Sequence, residues 1–458
     1  MIKNLFFFGL LCNFIFLSCS SPKPSPEIVD GWHILFNGQD LTGWNRLNGN
    51  AEFTVEDGVI IGTTKPSTPN TFLATNDKYG DFALEFEVKI DTFINSGVQF
   101  RSNTTDYMNG KVHGYQAEID PSSRAWSGGI YDESRRGWLF PMGLNPDGGR
   151  AFKPLEWNKI YVEAIGSEIK TWVNDEPAAF LIDDMTLNGF IALQIHSVDR
   201  PELHGRKIRW RNIRLKENPE KRSGSFPFIV NTEVNKLSDA EKSLGWISLF
   251  DGHSTDNWRS IHQENFPVNS WKIDNGDLAL EPGDKSQESV GDIITRDQFG
   301  AFDFQLEFNL TKGGNSGIKY FVDESYNDAQ SKSGIGLEYQ IIDDKDHPAA
   351  KEGGLPPSHT LGSLYDLIPA EKPERFVRPP GEWNHVRIVV KPNNIVEHWL
   401  NHIKVLEFKR GSQEYINLVK NSKYKDFKNF GLAKQGHLLL QNHGDAVKFR
   451  SIKIRPLQ

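Results

Sequence analysis

The stretch FALEFEVKI, residues Phe82–Ile90, decides the fold of this chain. It alternates apolar and polar residues over nine positions, which is typical of a β-strand with one buried and one exposed face. The stretch FDFQLEFNL at Phe302–Leu310 repeats the pattern 220 residues later. The chain therefore contains the same long strand twice.

The rest of the chain follows this repeat. Four further motifs occur twice in the same order: GWHILFNG at 31–38 and GWISLFDG at 245–252, NSGV at 95–98 and NSGI at 315–318, EWN at 156–158 and 382–384, and LQIH at 193–196 and LQNH at 440–443. The offsets grow from 214 to 247 residues, so the second copy gains insertions. The chain of 458 residues has room for two domains of ordinary size.

Short strand patterns separated by Gly, Asn and Asp turns dominate both copies. Asn174-Asp175 and Asn401-His402 each follow a strand pattern and predict a tight hairpin. Helical patterns are confined to a capped turn at 237–242 and a candidate helix at 412–430. The sequence therefore predicts an all-β protein built from two tandem sandwiches or jelly rolls.

The N-terminus predicts export. Lys3 precedes an apolar run over residues 5–17 that is too short for a stable membrane span and is typical of a secretion signal. Cys19 follows it as in a bacterial lipoprotein, so we expect a lipid-anchored, membrane-bound and periplasm-facing protein; the alternative is a plain signal peptide with an incidental cysteine. The remaining Cys12 lies inside the signal, so no disulfide is expected.

These patterns predict five segments: a signal peptide at 1–19, a tether at 20–29, a first module at 30–217, a linker at 218–242 and a second module at 243–458. The net charge is −8 and the sequence contains no basic stripe, so nucleic acid is not an expected partner. Aromatic residues make up 12% of the chain, which suits a β-protein that stacks on sugar rings.

One strand in each copy concentrates polar groups on a single face. In the first copy the alternation of a strand places Gln116, Glu118 and Asp120 together. Aligning the glycines at 114 and 336 matches Glu338 to Gln116 and Gln340 to Glu118, so that carboxylate and amide exchange places. A shift of two residues is an alternative alignment.

Three other elements carry polar residues in both copies. They are Gln99 with Arg101 against Lys319, Tyr131-Asp132 against Tyr365-Asp366, and Gln194 with His196 against Gln441 with His443. Together they predict a polar groove, with Trp126, Trp138, Trp383 or Trp399 available for stacking. The alternatives are that the polar residues anchor strands by buried hydrogen bonds, that Arg135-Arg136 face solvent, and that Trp157 and Trp383 belong to the cores.

Other classes of site find little support. The chain has no phosphate-binding glycine loop, no zinc-type cysteine pairs and no nucleophile elbow. No cofactor is predicted. A divalent metal is an option at Asp343, Asp344 and Asp346 with His347 and His359, although this spacing matches no standard site.

Both copies resemble the 3-keto-disaccharide hydrolase domain family, which also includes 3-keto-glucoside lyases and 3-keto-2-hydroxyglucal hydratases. The motifs that carry the resemblance are GLEYQIID at 336–343, LYDLIP at 364–369, GEWN at 381–384, VEHWLN at 396–401 and LQNHG at 440–444, with GYQAEID at 114–120, WSGGIYDE at 126–133, RRGW at 135–138 and FIALQIH at 190–196 in the first copy. The resemblance implies a concanavalin A-like jelly roll and a role in bacterial sugar breakdown. Asn442 departs from the family, whose members often carry Asp there.

The implied substrate is a glycoside that a separate sugar 3-dehydrogenase has oxidised at C3. Its cleavage by elimination and hydration needs a base, an acid and a group that stabilises an enolate. We expect these roles to fall to Glu338, His443, Lys319 and Tyr365 in the second copy, and to Glu118, His196, Arg101 and Tyr131 in the first, while a bound divalent metal could replace the cation. Substrate contacts are expected from Gln116, Asp120, Asp132, Arg136, Trp138, Gln194, Gln340, Asp343, Asp366 and Gln441.

The sequence leaves three alternatives: an ordinary glycanase, a lectin-like protein, and a pair in which one inactive copy assists an active one. An ordinary glycanase on the same fold would need a carboxylate-rich strand, which neither Gln116-Ala117-Glu118 nor Glu338-Tyr339-Gln340 supplies. A lectin-like lipoprotein with two glycan-binding modules would show exposed aromatic platforms and no reaction.

Overall fold

The computed structural model describes residues 27–104, 111–281, 291–326 and 333–458. The predicted signal, most of the tether and Cys19 lie outside the described residues. Within the described residues no helix is long and apolar enough to cross a membrane.

The first module is built almost entirely of strands. They are β1 (Ile28–Val29), β2 (Trp32–Ile34), β3 (Trp44–Asn48), β4 (Glu52–Glu56), β5 (Val59–Thr63), β6 (Thr71–Thr75), β7 (Phe82–Ile90), β8 (Ser96–Thr104), β9 (Val112–Ile119), β10 (Ile130–Glu133), β11 (Gly137–Phe140), β12 (Asn158–Ile165), β13 (Glu168–Val173), β14 (Glu176–Ile182), β15 (Phe190–Ile195) and β16 (Lys207–Glu217), with the short helix α1 (Pro146–Arg150) and 3₁₀ turns at Met142–Leu144 and Pro201–Leu203.

The second module repeats this plan after a short connection that contains β17 (Val230–Asn231) and α2 (Asp239–Ser243). Its strands are β18 (Ile247–Ser248), β19 (Trp258–Ser260), β20 (Trp271–Asp274), β21 (Asp277–Leu280), β22 (Ile293–Thr295), β23 (Phe302–Leu310), β24 (Asn315–Val322), β25 (Leu337–Ile342), β26 (Trp383–Val390), β27 (Ile395–Leu400), β28 (Ile403–Lys409), β29 (His437–Leu440) and β30 (Val447–Pro456), with helices α3 (Pro348–Glu352) and α4 (Gln413–Lys420) and 3₁₀ turns at Glu324–Tyr326, Pro357–His359 and Glu374–Phe376.

Each module is a sandwich of two antiparallel sheets. In the first, the larger sheet has the order β1-β2-β16-β7-β12-β13-β14, with β4 and β5 beside β16, and the smaller sheet has the order β11-β10-β9-β8-β15-β6-β3. In the second, the larger sheet is β20-β21-β30-β23-β26-β27-β28, with β18 on β30, and the smaller sheet is β19-β22-β29-β24-β25. The predicted all-β fold of two tandem jelly-roll sandwiches is confirmed.

The core of each module lies between its two sheets. Alternation in β7 buries Phe82, Leu84 and Phe86 completely, and β23 buries Phe302 and Phe304 in the same way. Each such side chain contributes about 1.5–3 kcal/mol when it leaves water. The inner faces of the sheets therefore stabilise the sandwiches and leave the outer face of the smaller sheet free for function.

The predicted local elements are present with adjusted lengths. Asn174-Asp175 and Asn401-His402 adopt positive φ angles and join their strands as tight hairpins. Helix α2 begins with a capping box between Ser238 and Glu241. The candidate helix at 412–430 forms only over α4, which Ser412 caps.

The connection between the modules packs against both of them. Strand β17 adds to the first module in parallel with β14. The buried carboxylate of Glu241 in α2 accepts a hydrogen bond from Lys453 of the second module. Trp157 and Trp383 are half-buried rather than core residues, because Arg211 and Arg450 cover their rings on the outer side of the larger sheets.

Candidate active site

The strand register settles how the two copies align. Cross-strand partners match pair for pair: Gly97 with Glu118 and Gln99 with Gln116 in the first module, Gly317 with Gln340 and Lys319 with Glu338 in the second. The next segment also agrees, because the backbone of Glu118 bonds to Gly128 as that of Gln340 bonds to Gly362. The glycine alignment is therefore correct, and carboxylate and amide have exchanged places.

Glu338 lies at the centre of the polar face in the second module. The residue is 5% exposed, and no hydrogen bond from a described residue is among the interactions that shift its pKa. Burial raises the pKa of Glu338, while the charges of Lys319, Lys423 and His443 oppose that rise. A largely buried carboxylate that no described group hydrogen-bonds is open to a ligand that donates to it.

Two lysines flank this carboxylate. Lys319 stands opposite Glu338 on the neighbouring strand. Its ammonium group donates to the carbonyl of Gly334 at 2.9 Å and lies 3.9 Å from a carboxylate oxygen of the buried Asp292. Burial raises the pKa of Asp292, and the charge of Lys319 opposes this. The second cation, Lys423, comes from the insertion after α4.

The insertion places Lys423 above Tyr365. Its ammonium nitrogen lies 4.1 Å from the centre of the Tyr365 ring, and burial lowers its pKa while Glu338 opposes this. His359 also contacts Tyr365, because its ring stacks on the Tyr365 ring at 4.3 Å. The Nε2 atom of His359 lies 3.1 Å from Asp366. Asp366 also accepts the backbone N–H of Lys423 at 2.9 Å, so it fixes the insertion.

Two amide side chains complete this face. The Oε1 atoms of Gln340 and Gln441 are buried and lack a hydrogen-bond partner among the described residues. A Cβ atom on Gly317 would lie 2.5 Å from an oxygen of Glu338 and 3.2 Å from Oε1 of Gln441. Glycine leaves room for the tips of these side chains to converge above its backbone, and a larger residue would displace them. His443 is exposed at the rim.

The first module arranges a different set at the same place. Ser102 donates to Gln99 at 2.9 Å, Gln99 donates to Gln116 at 2.6 Å, and Gln116 donates to Glu118 at 2.9 Å. Asn95 donates to the second oxygen of Glu118. The carboxylate of the first module is thus held by neutral amide donors at the end of a relay.

Glu118 is a buried acid with a shifted pKa. Burial raises its pKa to about 7, although Asn95, Gln116 and Arg124 favour the ionised form. Its side chain is 3% exposed, so solvent screens the effect little. Glu118 therefore changes charge near neutral pH.

This shift predicts a pH-dependent stability of the first module. Because the pKa of Glu118 is raised in the folded module, protonated Glu118 contributes its full stabilisation below the ordinary pKa of 4.5. This stabilisation is lost as the pH rises through about 7 and the buried carboxyl group ionises. Relative to Glu118→Gln, the wild-type module should lose about 3 kcal/mol over this window. Hydrogen exchange of first-module peptides at several pH values measures this, with Glu202→Gln as the exposed control. Parallel pH curves for wild type and Glu118→Gln would contradict it.

An aromatic corner borders Glu118. The rings of Trp126 and Trp138 meet edge to face at 4.5 Å, and Tyr131 meets Trp138 at 5.2 Å. Arg124 lies over Trp126 at 4.3 Å and bonds to Asp120 at 2.7 Å. Desolvation by burial raises the pKa of Tyr131. All three rings are partly exposed.

Glu133 provides a second carboxylate on this face. It accepts hydrogen bonds from Asn70 at 3.2 Å and from Gln194 at 3.4 Å. Burial raises its pKa, and the charge of His196 opposes this. His196 follows β15 and its Nδ1 lies 2.7 Å from the carbonyl of Ser197.

Arg101 does not lie on this face, which corrects its predicted role. It has a φ of 45° at a bulge in β8 and points between the sheets, where it bonds to Gly80, Asp81 and Gly166. Phe321, with a φ of 54°, occupies the equivalent bulge in the second module. The extra bulge residue reverses the simple alternation from which Arg101 was placed beside Gln99.

Two predicted substrate contacts, Asp132 and Arg136, are also corrected, because they bond to each other and to neighbouring protein groups. Asp132 faces the core side because it pairs with Tyr115 across the strands, and it is fully buried between Arg135 and Arg136 at 2.7 and 2.6 Å. Arg136 further bonds to Asp183 at 2.7 Å. Adjacent strand residues point to opposite faces, so Tyr131 and Asp132 cannot both reach the site.

Asp343 anchors a loop instead of a ligand. Its carboxylate accepts backbone N–H groups of Gly313, Lys345 and Asp346 at 2.8–3.1 Å. Among the described residues no group of three or more metal-ligating side chains is arranged around a common point. His359 pairs with Asp366 instead.

Sequence reasoning missed Asp292, Lys423, Arg124 and Glu133. Asp292 replaces the apolar Phe72 of the first copy in the matching strands. The replacement of an apolar residue by an aspartate within the repeat could have identified Asp292 as a candidate site residue from the sequence. Lys423 lies in an insertion without a counterpart, so only the tertiary structure brings it to Glu338.

Comparisons with known proteins identify the family of this chain. A family model described as the 3-keto-alpha-glucoside-1,2-lyase-like domain matches residues 31–216 and 245–455. A protein named 3-keto-disaccharide hydrolase from Bacteroides thetaiotaomicron is 33% identical over 245 residues, covering 49% of this chain and 83% of that protein. A crystal structure from Parabacteroides distasonis, named as a candidate glycosyl hydrolase, is 30% identical with a TM-score of 0.45 and covers 49% of this chain and 100% of its own.

Proposed function

This chain belongs to the 3-keto-alpha-glucoside-1,2-lyase-like domain family, and on that premise we propose that it cleaves the glycosidic bond of sugars already oxidised to a ketone at C3. The relative named 3-keto-disaccharide hydrolase supports a glycoside-hydrolase-like function. The observation that carries the proposal is Glu338, a buried carboxylate without a hydrogen-bond donor among the described residues, facing Lys319 and influenced by Lys423.

The ketone determines which step these residues catalyse. A carbonyl at C3 acidifies the proton at C2, and Glu338 removes that proton as general base. The electron pair moves onto the C3 oxygen as an enolate. Lys319 and Lys423 stabilise the new negative charge, because preorganised cations in a buried site act strongly on developing charge.

Elimination and hydration then complete the cleavage. The enolate pair forms the C1–C2 double bond and the C1–O bond breaks, while the leaving oxygen takes a proton from Tyr365 or His443. Water adds to C1 and a proton returns to C2. The products are the free aglycone and the free 3-keto sugar, so the net reaction consumes one water.

The substrate implies other components. A separate sugar 3-dehydrogenase has to supply the ketone, since cleavage itself transfers no electrons. Lipidation of Cys19 would hold the protein on a membrane, facing the periplasm. No cofactor is required by these steps, and a bound divalent cation could take over part of the charge stabilisation.

The test compares a 4-nitrophenyl 3-keto-α-glucoside with its unoxidised parent. We expect nitrophenol release from the keto form at least about a hundredfold faster than from the parent, because only the ketone acidifies C2. Loss of the activity with EDTA would add a metal to the site. Equal release from both sugars would contradict the elimination mechanism, and release from neither would remove the proposed activity.

A further inference from the structure

The two modules differ at equivalent positions of the same face. The strand pairing aligns Phe72 with Asp292, Gln99 with Lys319, Gln116 with Glu338 and Glu118 with Gln340, and the following turn aligns Trp126 with Thr360. The first module thus lacks the buried acid–lysine pair and has an aromatic ring where the second has a threonine.

The hydrogen-bond networks differ in the same sense. In the first module the donors of Ser102, Gln99, Gln116 and Asn95 all lead to Glu118 and satisfy it without a ligand. This chain of hydrogen bonds fixes the orientation of the Glu118 carboxylate. Each oxygen of Glu118 accepts one amide N–H, so the module itself holds this carboxylate in one orientation.

The second module leaves its acceptors open. The Oε1 atoms of Gln340 and Gln441 have no hydrogen-bond partner among the described residues, and Glu338 feels the nearby charges of Lys319 and Lys423 without a hydrogen bond from a described residue. Lys423 enters from residues 410–436, the connection between β28 and β29. The corresponding connection of the first module, residues 183–189, contains no lysine. Two lysines therefore act on the carboxylate of the second module, whereas in the first module the cation beside Glu118 is Arg124 at 3.7 Å, which is already paired with Asp120.

The first module instead presents a surface suited to a sugar ring. The partly exposed rings of Trp126 and Trp138 offer apolar contact for the C–H groups of a pyranose. Arg124 stands beside them with donor groups for hydroxyls, and the buried Asp120 holds its guanidinium group at 2.7 Å. A pair of aromatic rings with a charged edge is a binding arrangement rather than an acid–base one.

We infer that bond cleavage is confined to the second module and that the first module is a separate pyranose-binding site at the Trp126–Trp138 corner. The inference rests on the proposed function only for the choice of sugar and for the cleavage it confines. The first module retains the glycan and raises its local concentration for the second. In this proposal the first module binds the sugar and the second module cleaves the glycosidic bond.

The experiment counts binding sites on the full chain. Glu338→Gln is titrated calorimetrically with the 4-nitrophenyl 3-keto-α-glucoside, and we expect two molar equivalents to bind. Adding Trp138→Ala should leave one equivalent, whereas adding Trp157→Ala, a ring under Arg211 on the larger sheet, should leave two. Arg124→Ala alters an exposed side chain and should weaken the first site roughly tenfold without unfolding the module.

Each outcome separates the two claims. One equivalent in Glu338→Gln that survives Trp138→Ala overturns the first-module site. Nitrophenol release by Glu338→Gln above about a tenth of the wild-type rate that disappears when Glu118→Gln is added shows cleavage by the first module and overturns the confinement, whereas release that survives both changes excludes Glu338 as the base. If the wild-type protein releases nothing while two equivalents bind, the proposed function fails and the separate binding site stands.

Discussion

Replacing Glu338 with glutamine is expected to lower the turnover of a 3-keto-glucoside about a thousandfold, within the range that a general base contributes. Glutamine keeps the volume of the side chain but cannot accept the C2 proton. The loss should fall on kcat with little change in KM, because the group acts on the transition state rather than on binding. Steady-state release of nitrophenol measures both constants.

The pH dependence gives the same prediction a second measurement. Burial raises the pKa of Glu338, and only the ionised form is a base, so the wild-type rate should rise with pH to values above the ordinary range of a glutamate. The control is Glu407→Gln, which removes only an exposed contact to Lys404 and should keep the wild-type rate. A Glu338→Gln enzyme with near wild-type kcat would exclude Glu338 as the base.

Replacing Arg101 with alanine is expected to destabilise the first module by about 3 kcal/mol. Its guanidinium group is fully buried and bonds to the carbonyls of Gly80 and Gly166 at 3.0 and 2.7 Å and to Asp81 at 3.0 Å. Alanine leaves these acceptors without their donor and opens a cavity behind the bulge. Hydrogen exchange of first-module peptides gives the free energy of opening.

The matched control is Arg200→Ala. Its side chain is 71% exposed and lies 3.8 Å from Glu202, so its loss should cost less than about 0.5 kcal/mol. If first-module peptides of Arg101→Ala and Arg200→Ala exchange their amide hydrogens at the same rates, Arg101 does not stabilise the bulge. A large loss of first-module protection confirms that Arg101 is a structural residue.

The repeat made much of the fold predictable. The alternation of Phe82–Ile90 and its second copy fixed which side chains are buried, because a strand turns successive residues to opposite faces regardless of its neighbours. The same rule placed Gln116 and Glu118 together, and Asn174-Asp175 gave the hairpin from local backbone preference alone. These are short-range properties that the sequence expresses directly.

The composition of the site needed the tertiary structure. The sequence determined two all-β modules and their polar strands, whereas the strand register was needed to show that carboxylate and amide exchange places between Gln116–Glu118 and Glu338–Gln340. Only the folded chain decided that a bulge turns Arg101 into the core and that Asp292 and Lys423 reach the same carboxylate. The physical reason is that alternation is a local property of an extended backbone and can be read from consecutive residues. A bulge interrupts that alternation, and a loop insertion brings together groups that are distant in the chain, so both depend on the folded structure.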